Sequence, residues 1–109
     1  MSQFDRIDLP APLDAYFAAT DHASTAPLFA ADAVVEDEGA THVGLAAIAE
    51  WLDRVEAQYH PRYVVQGVET SGAESTVTFQ VSGTFPGSPA TLRQAIRVEG
   101  GLIHGLRTL

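Results

Sequence analysis

The chain has no cysteine. That excludes disulfides, thiolate nucleophiles and cysteine-ligated metals. Lysine is missing too, and all six basic residues are arginines. Schiff-base chemistry and the phosphate-gripping lysine of P-loops are thereby removed. Fourteen acidic residues stand against the six arginines, for a net charge of −8. A surface of that sign repels phosphate backbones and anionic lipid, so nucleic acid and membrane are not expected partners. No apolar run approaches the roughly 18 residues of a membrane span. The opening residues, MSQFDRIDLP, carry no apolar core of a secretory signal, and a cytoplasmic protein is the expectation. The four histidines, His22, His42, His60 and His104, never recur at the i, i+4 spacing of a helical metal site. No metal and no other cofactor is expected.

What is present reads as one folded unit. The 109 residues suit a single domain, 46% are hydrophobic and 18% charged, and no repeat or linker interrupts them. The first half reads helical. Asp8 is positioned to cap a helix holding Pro10 in its first turn, with Leu9, Leu13, Tyr16 and Phe17 on one face. A short second helix is expected in STAPLFA, capped by Ser24 or Thr25, with Leu28 and Phe29 buried. AVVED is a short strand and ATHV a second strand or a turn. From Gly44 a third helix carries Leu45, Ile48, Leu52, Val55 and Tyr59 along one stripe until Pro61 stops it.

The second half alternates with period two. In STVTFQVSGTF, Val77, Phe79, Val81 and Phe85 share one face, and Thr76, Thr78, Gln80 and Ser82 the other. FPGSP is a turn with Pro86 and Gly87 in its two central positions. TLRQAIRVE places Leu92, Gln94, Ile96 and Val98 on one face, with Arg93 and Arg97 opposite. LIHGLRTL is the last strand. Three N-terminal helices and a curved antiparallel sheet make an α+β domain.

The run AVVEDEGATHVG raises the question of chemistry. Alternation sends Asp37 to the face opposite Glu36 and Glu38, so if Val35 faces inward, Asp37 does too. A turn acid remains the other reading of Asp37. Gln94 falls on an apolar strand face, where an amide needs a partner or a ligand.

PLFAADAVVEDEGATHVGLAAIAEWL, together with GTFPGSPATL and GGLIHGLRTL, resembles the SnoaL-like branch of the nuclear transport factor 2-like superfamily. The resemblance runs from about Leu9 to Leu109. It implies a cone-shaped barrel in which the sheet curls around the helices and leaves an apolar pocket at one end. It is similar in particular to the ketosteroid isomerases. Their general-base aspartate ends a VED tripeptide, matched here by Val35, Glu36 and Asp37, with Gly44, Ala46, Ala47 and Ile48 following. Their tyrosine donor on the first helix falls on Tyr16, although the stretch from Tyr16 to Asp37 is shorter. Their second donor, a protonated aspartate, is replaced by Gln94.

The resemblance thus implies a cofactor-free pocket for an apolar small molecule. Asp37 would take a proton next to a carbonyl, Tyr16 and Gln94 would stabilise the oxygen, and His42 is a further proton-transfer candidate. Phe17, Phe29, Val35, Trp51, Leu52, Phe79 and Ile96 are the expected lining. A ligand-binding or accessory domain without turnover is the alternative. The epoxide hydrolases and polyketide cyclases of the superfamily place a catalytic aspartate on the late strands, which here carry only Glu69, Glu74 and Glu99. The polar face of Thr76, Thr78, Gln80 and Ser82 beside Arg93 and Arg97 predicts a homodimer through the convex side of the sheet. Sedimentation at micromolar concentration is expected to give the mass of two chains, and the mass of one chain would remove the claim.

Overall fold

The computed structural model describes residues 8–109. Six strands, β1 (Phe29–Asp37), β2 (Ala40–Val43), β3 (Arg62–Ser71), β4 (Glu74–Ser82), β5 (Ala90–Glu99) and β6 (Leu102–Thr108), form one curved sheet. Their order across it is β2-β1-β6-β5-β4-β3. The sheet is antiparallel except where β6 returns beside β1 in parallel. The expected all-antiparallel arrangement is therefore corrected to a mixed one. Alternation along each strand constrains which face a residue occupies but not which strand becomes its neighbour.

Helix α1 (Leu13–Ala18) starts later than Asp8 suggests, with Pro12 at its cap position and no side-chain cap. The residue before a proline is disfavoured from helical geometry, and Leu9 and Ala11, before Pro10 and Pro12, lie outside the helix. The second helix is a 3-10 helix, His22–Leu28, capped by the Asp21 carboxylate rather than by Ser24 or Thr25. Phe29 consequently opens β1 instead of ending a helix. Helix α2 (Leu45–Tyr59) begins at Gly44 and ends on His60 in left-handed geometry, just before Pro61.

The strands are joined by tight turns. Glu38 and Gly39 both have positive φ, 52° and 76°, as a two-residue hairpin of the primed type requires. Gly100 and Gly101 repeat the arrangement between β5 and β6, at 60° and 78°. Between β4 and β5, Gly87 (φ 87°) and the Ser88 N–H bond to Phe85 O make the expected turn. Strand β4 stops at Ser82 rather than reaching Phe85. There the chain leaves the sheet to cover the end of α2. The Thr84 N–H donates to Tyr59 O at 2.8 Å, and the Phe85 ring stands edge-on to Tyr59 at 5.8 Å.

The core lies between the concave face and the helices. Leu13, Tyr16, Phe17, Ile48 and Leu52 from the helices pack with Phe29, Val35, Val77, Phe79, Ile96, Ile103 and Leu106 from the sheet. Val77, Phe79 and Val81 of β4 are buried, while Thr76, Thr78 and Gln80 between them are half-buried. The predicted alternation is thus the one observed. No helix among the described residues is long and apolar enough to cross a membrane.

Gly83, in the loop after β4, packs tightly against the last residue of α2. A Cβ there would stand 2.3 Å from Tyr59 O, which is backbone and cannot rotate away. Gly83→Ala is expected to cost about 2 kcal/mol or more. At Gly67 nothing lies within 4 Å of an added Cβ, and Gly67→Ala is expected to be neutral or mildly stabilising. Urea melts of the two variants check the contrast, and equal stabilities would contradict it.

Candidate functional site

The helices fill only part of the concave face. Between α2 and strands β4 and β5 a cavity of about 720 Å³ remains. Its walls are largely apolar: Trp51, Val55 and Tyr59 from α2, Phe79 and Val81 from β4, Ala90 and Leu92 from β5, and Phe85 and Pro86 from the connecting loop. Tyr63 of β3 and His22 of the 3-10 helix close it at one end. Asp37, Glu38, Gln94 and Thr108 bring the remaining polar groups.

Asp37 ends β1 with its side chain on the cavity. The hairpin register explains the placement. Val35 is fully buried, and two residues on, Asp37 lies on the same face while Glu36 is exposed. The Trp51 indole N–H donates to Asp37 Oδ2 at 3.3 Å, which orients the carboxylate and leaves Oδ1 outside that bond. Glu36 and Glu38 are both exposed, as the alternation predicts. The left-handed turn position of Glu38 carries it to the cavity edge.

Beside Asp37 lies a cluster that contains no formal charge. The hydroxyls of Tyr16 and Tyr63 both approach His22 Nε2, each at 3.4 Å. The three rings also touch: Tyr16 stacks on Tyr63 at 6.2 Å, and His22 stands edge-on to both. The His22 backbone N–H donates to Glu56 Oε1 at 2.6 Å, which ties the main chain of His22 to α2. Burial drives His22 down to about 4, against the pull of Glu56, Asp21 and Asp37, so the ring is neutral near pH 7. Burial also raises both tyrosines, and the negative charge of Asp37 pushes them the same way. They are held as proton donors. A neutral imidazole has one accepting nitrogen, and two hydroxyls converge on Nε2. Tyr63, which faces the cavity, can turn its proton to a ligand instead.

Not every residue singled out from the sequence reaches the cavity. Asp37, Gln94, Trp51 and Phe79 line it, whereas Tyr16 and His42 do not. Tyr16 is fully buried behind His22 and acts on the site only through the hydroxyl cluster. His42 stacks on Trp51 at 5.8 Å. Phe17, Phe29, Val35, Leu52 and Ile96 belong to the packed core rather than to the lining. They lie where α1, the 3-10 helix and α2 fill the concave face. Gln94 also differs from expectation, because its amide nitrogen is already committed, donating to Thr108 Oγ1 at 3.1 Å.

His22 and Tyr63 were not anticipated. Tyr63 was within reach: RYVV alternates, and Tyr63 pairs with inward-facing Val81. His22 left no trace, since nothing in its spacing separates it from the other histidines. Among the described residues, no group of three histidine, aspartate or glutamate side chains could hold a metal ion.

The buried histidine makes stability depend on pH. His22 has its folded-state pKa lowered from 6.5 to about 4, so the unfolded chain takes up the proton first. Its contribution is whole above pH 6.5 and is lost as pH falls from there to about 4, on the order of 3 kcal/mol. Glu56, held low chiefly by the His22 N–H, acts only below the usual carboxylate range. Denaturant melts between pH 7 and pH 4 are expected to show the His22 loss in the parent and not in His22→Gln. Parallel curves for the two proteins would contradict it.

A family model for the SnoaL-like domain matches residues 13–105. A protein of Sinorhizobium meliloti, provisionally assigned as a polyketide cyclase, is 36% identical, with a TM-score of 0.86 over 94% of this chain and 96% of that one. The Δ5-3-ketosteroid isomerase of a Mycobacterium species shares the fold at 23% identity, with a TM-score of 0.72 over 89% of this chain and 88% of that one. An epoxide hydrolase of the LEH-like type from M. tuberculosis does so at 16% identity and a TM-score of 0.72, over 88% of this chain and 77% of that one. A search of functionally curated proteins returned no match. The mixed curved sheet, the three helices under it and the match across residues 13–105 assign the chain to the SnoaL-like domain family.

Proposed function

We propose that the protein catalyses proton transfer next to a carbonyl group of an apolar small molecule, with Asp37 as general base. The observation that carries this reading is the placement of Asp37. It is a carboxylate on an apolar cavity, oriented by the Trp51 N–H and set beside uncharged hydroxyls. A base needs a free oxygen within reach of a carbon acid, and the enolate it creates needs a donor at its oxygen. Asp37 supplies the first. Tyr63 supplies the second, with Tyr16 and His22 behind it to stabilise a hydroxyl that has turned towards the ligand. Isomerisation of a β,γ-unsaturated ketone and ring closure of a polyketide both begin with such a proton removal. The late strands of this chain carry no aspartate, which favours the isomerase-like step.

A second reading, a ligand-binding domain without turnover, is favoured by one observation. Tyr16 lies off the cavity and the Gln94 amide nitrogen is engaged with Thr108, so Tyr63 alone faces the oxygen. The proposal includes pairing of two chains through the convex face, where Thr76, Thr78 and Gln80 are half-buried and Arg93 and Arg97 exposed.

Conjugation of a β,γ-unsaturated cyclic ketone, followed by its ultraviolet absorbance, tests the reading. Asp37→Asn is expected to lower kcat by at least about 100-fold and Tyr63→Phe by about tenfold or more. Binding of the ketone without conversion by the parent protein would leave the second reading standing.

A further inference from the structure

Gln94 is 6% exposed, and its amide is used on one side only. Nε2 donates to Thr108 Oγ1, while Oε1 is buried without a hydrogen-bond partner among the described residues. Both Gln94 and Thr108 line the cavity. A buried carbonyl oxygen with no donor is rare in folded proteins, because desolvation is not repaid until a bond is made. The surrounding wall offers little remedy. Gln94 pairs with Val77 of β4 and Thr108 of β6; Val77 has no side-chain donor, and Thr108 Oγ1 already accepts from Nε2.

The strand registers place this acceptor relative to the base. Glu36 of β1 pairs with Arg107 of β6, so Asp37 comes level with Thr108, and Thr108 pairs with Gln94 of β5. The three residues form one row across three strands. Adjacent strands lie about 4.8 Å apart, which sets the Asp37 and Gln94 backbones on the order of 10 Å from each other. The cavity spans that separation, since it includes both. It includes no arginine, so an anionic end of a ligand would meet no counter-charge.

We infer that the ligand carries a hydroxyl or N–H group on its end over β5, and that Gln94 Oε1 accepts a hydrogen bond from it. This rests on the proposed proton transfer, which places the carbonyl end between Asp37 and Tyr63, and it adds the chemistry of the opposite end. The substrate class is then an apolar molecule with a carbonyl at one end and a hydrogen-bond donor at the other. Gln94 is the specificity-determining residue for that donor. Oε1 is out of reach of solvent in the empty cavity, so a ligand that brings a donor to it repays a desolvation that nothing else among the described residues repays. Discrimination of this kind, in which the site's own polar group is orphaned by the wrong ligand, exceeds what an apolar wall achieves against a molecule of equal size.

The polarity is the opposite of what the resemblance implies for this position. There the residue donates to an oxygen. Here the donor atom is spent on Thr108, and the free atom accepts.

Calorimetric titration with 2-naphthol and 2-methoxynaphthalene tests the inference. The two probes share their rings, and only the first has an O–H. The parent protein is expected to bind 2-naphthol about tenfold more tightly than the ether. Gln94→Leu is expected to bring the ratio close to one while leaving the ether's Kd unchanged or lower. Comparing the ratio across the two proteins cancels any contact of the hydroxyl with Asp37. Gln94→Met serves the same purpose should the leucine variant not fold. A preference that survives in the variant, or equal Kd values in the parent, would overturn the role of Gln94 and leave the proton-transfer reading intact. Failure of the parent to bind either probe would overturn both.

Discussion

The structure depends on where α2 is fixed. It packs on β1, β2 and the 3-10 helix, which lie at one side of the sheet. At its C-terminal end it is clamped by Gly83 and Thr84 against Tyr59 O. The curl of β3, β4 and β5 brings the other side of the sheet round to face α2 across a gap. Side chains fill that gap at one end and leave the 720 Å³ cavity at the other. A side chain at residue 83 would wedge α2 away from the sheet, so the cavity and its closure have a common cause. Trp51, Val55 and Tyr59 fall on successive turns of α2 and all three look into the opening.

The electrostatic character of the site follows from that placement. Helix α2 holds Glu56 under the His22 N–H and Trp51 beside the Asp37 carboxylate. The histidine is thereby pinned in a position where burial keeps it neutral. Two tyrosine hydroxyls share its ring nitrogen and remain protonated, because both burial and the Asp37 charge resist their ionisation. A carboxylate with neutral donors close by can take a proton from carbon without a competing cation quenching it. A lysine or arginine in the same place would pair with Asp37 and weaken it as a base.

Much of this was legible in the sequence where local physics governs the outcome. Alternation gives the inward face of β4, whereas in β5 Leu92 is exposed and Ala95 of the opposite face is buried; Gly44, Pro61 and Gly87 mark element ends that the structure retains. The same period-two argument put Asp37 on the face of Val35. What escaped depends on long-range geometry. The parallel return of β6 beside β1 is a matter of topology. His22 acquires its role from Tyr63, 41 residues away, and from Glu56, 34 residues away. The split between core and lining was also hidden, since Phe17 and Phe79 have the same chemistry but only Phe79 borders the opening. The polarity of Gln94 was set by Thr108, a neighbour that only strand pairing reveals.

The central claim is that Asp37 removes a proton from carbon next to a carbonyl bound in this cavity. It is met most directly by proton NMR of a cyclic ketone incubated with the protein in deuterium oxide. The account predicts deuterium uptake confined to the positions next to the carbonyl, faster than in buffer by about 100-fold or more, and returned to the buffer rate by Asp37→Asn. Exchange that continues unchanged in Asp37→Asn would contradict it.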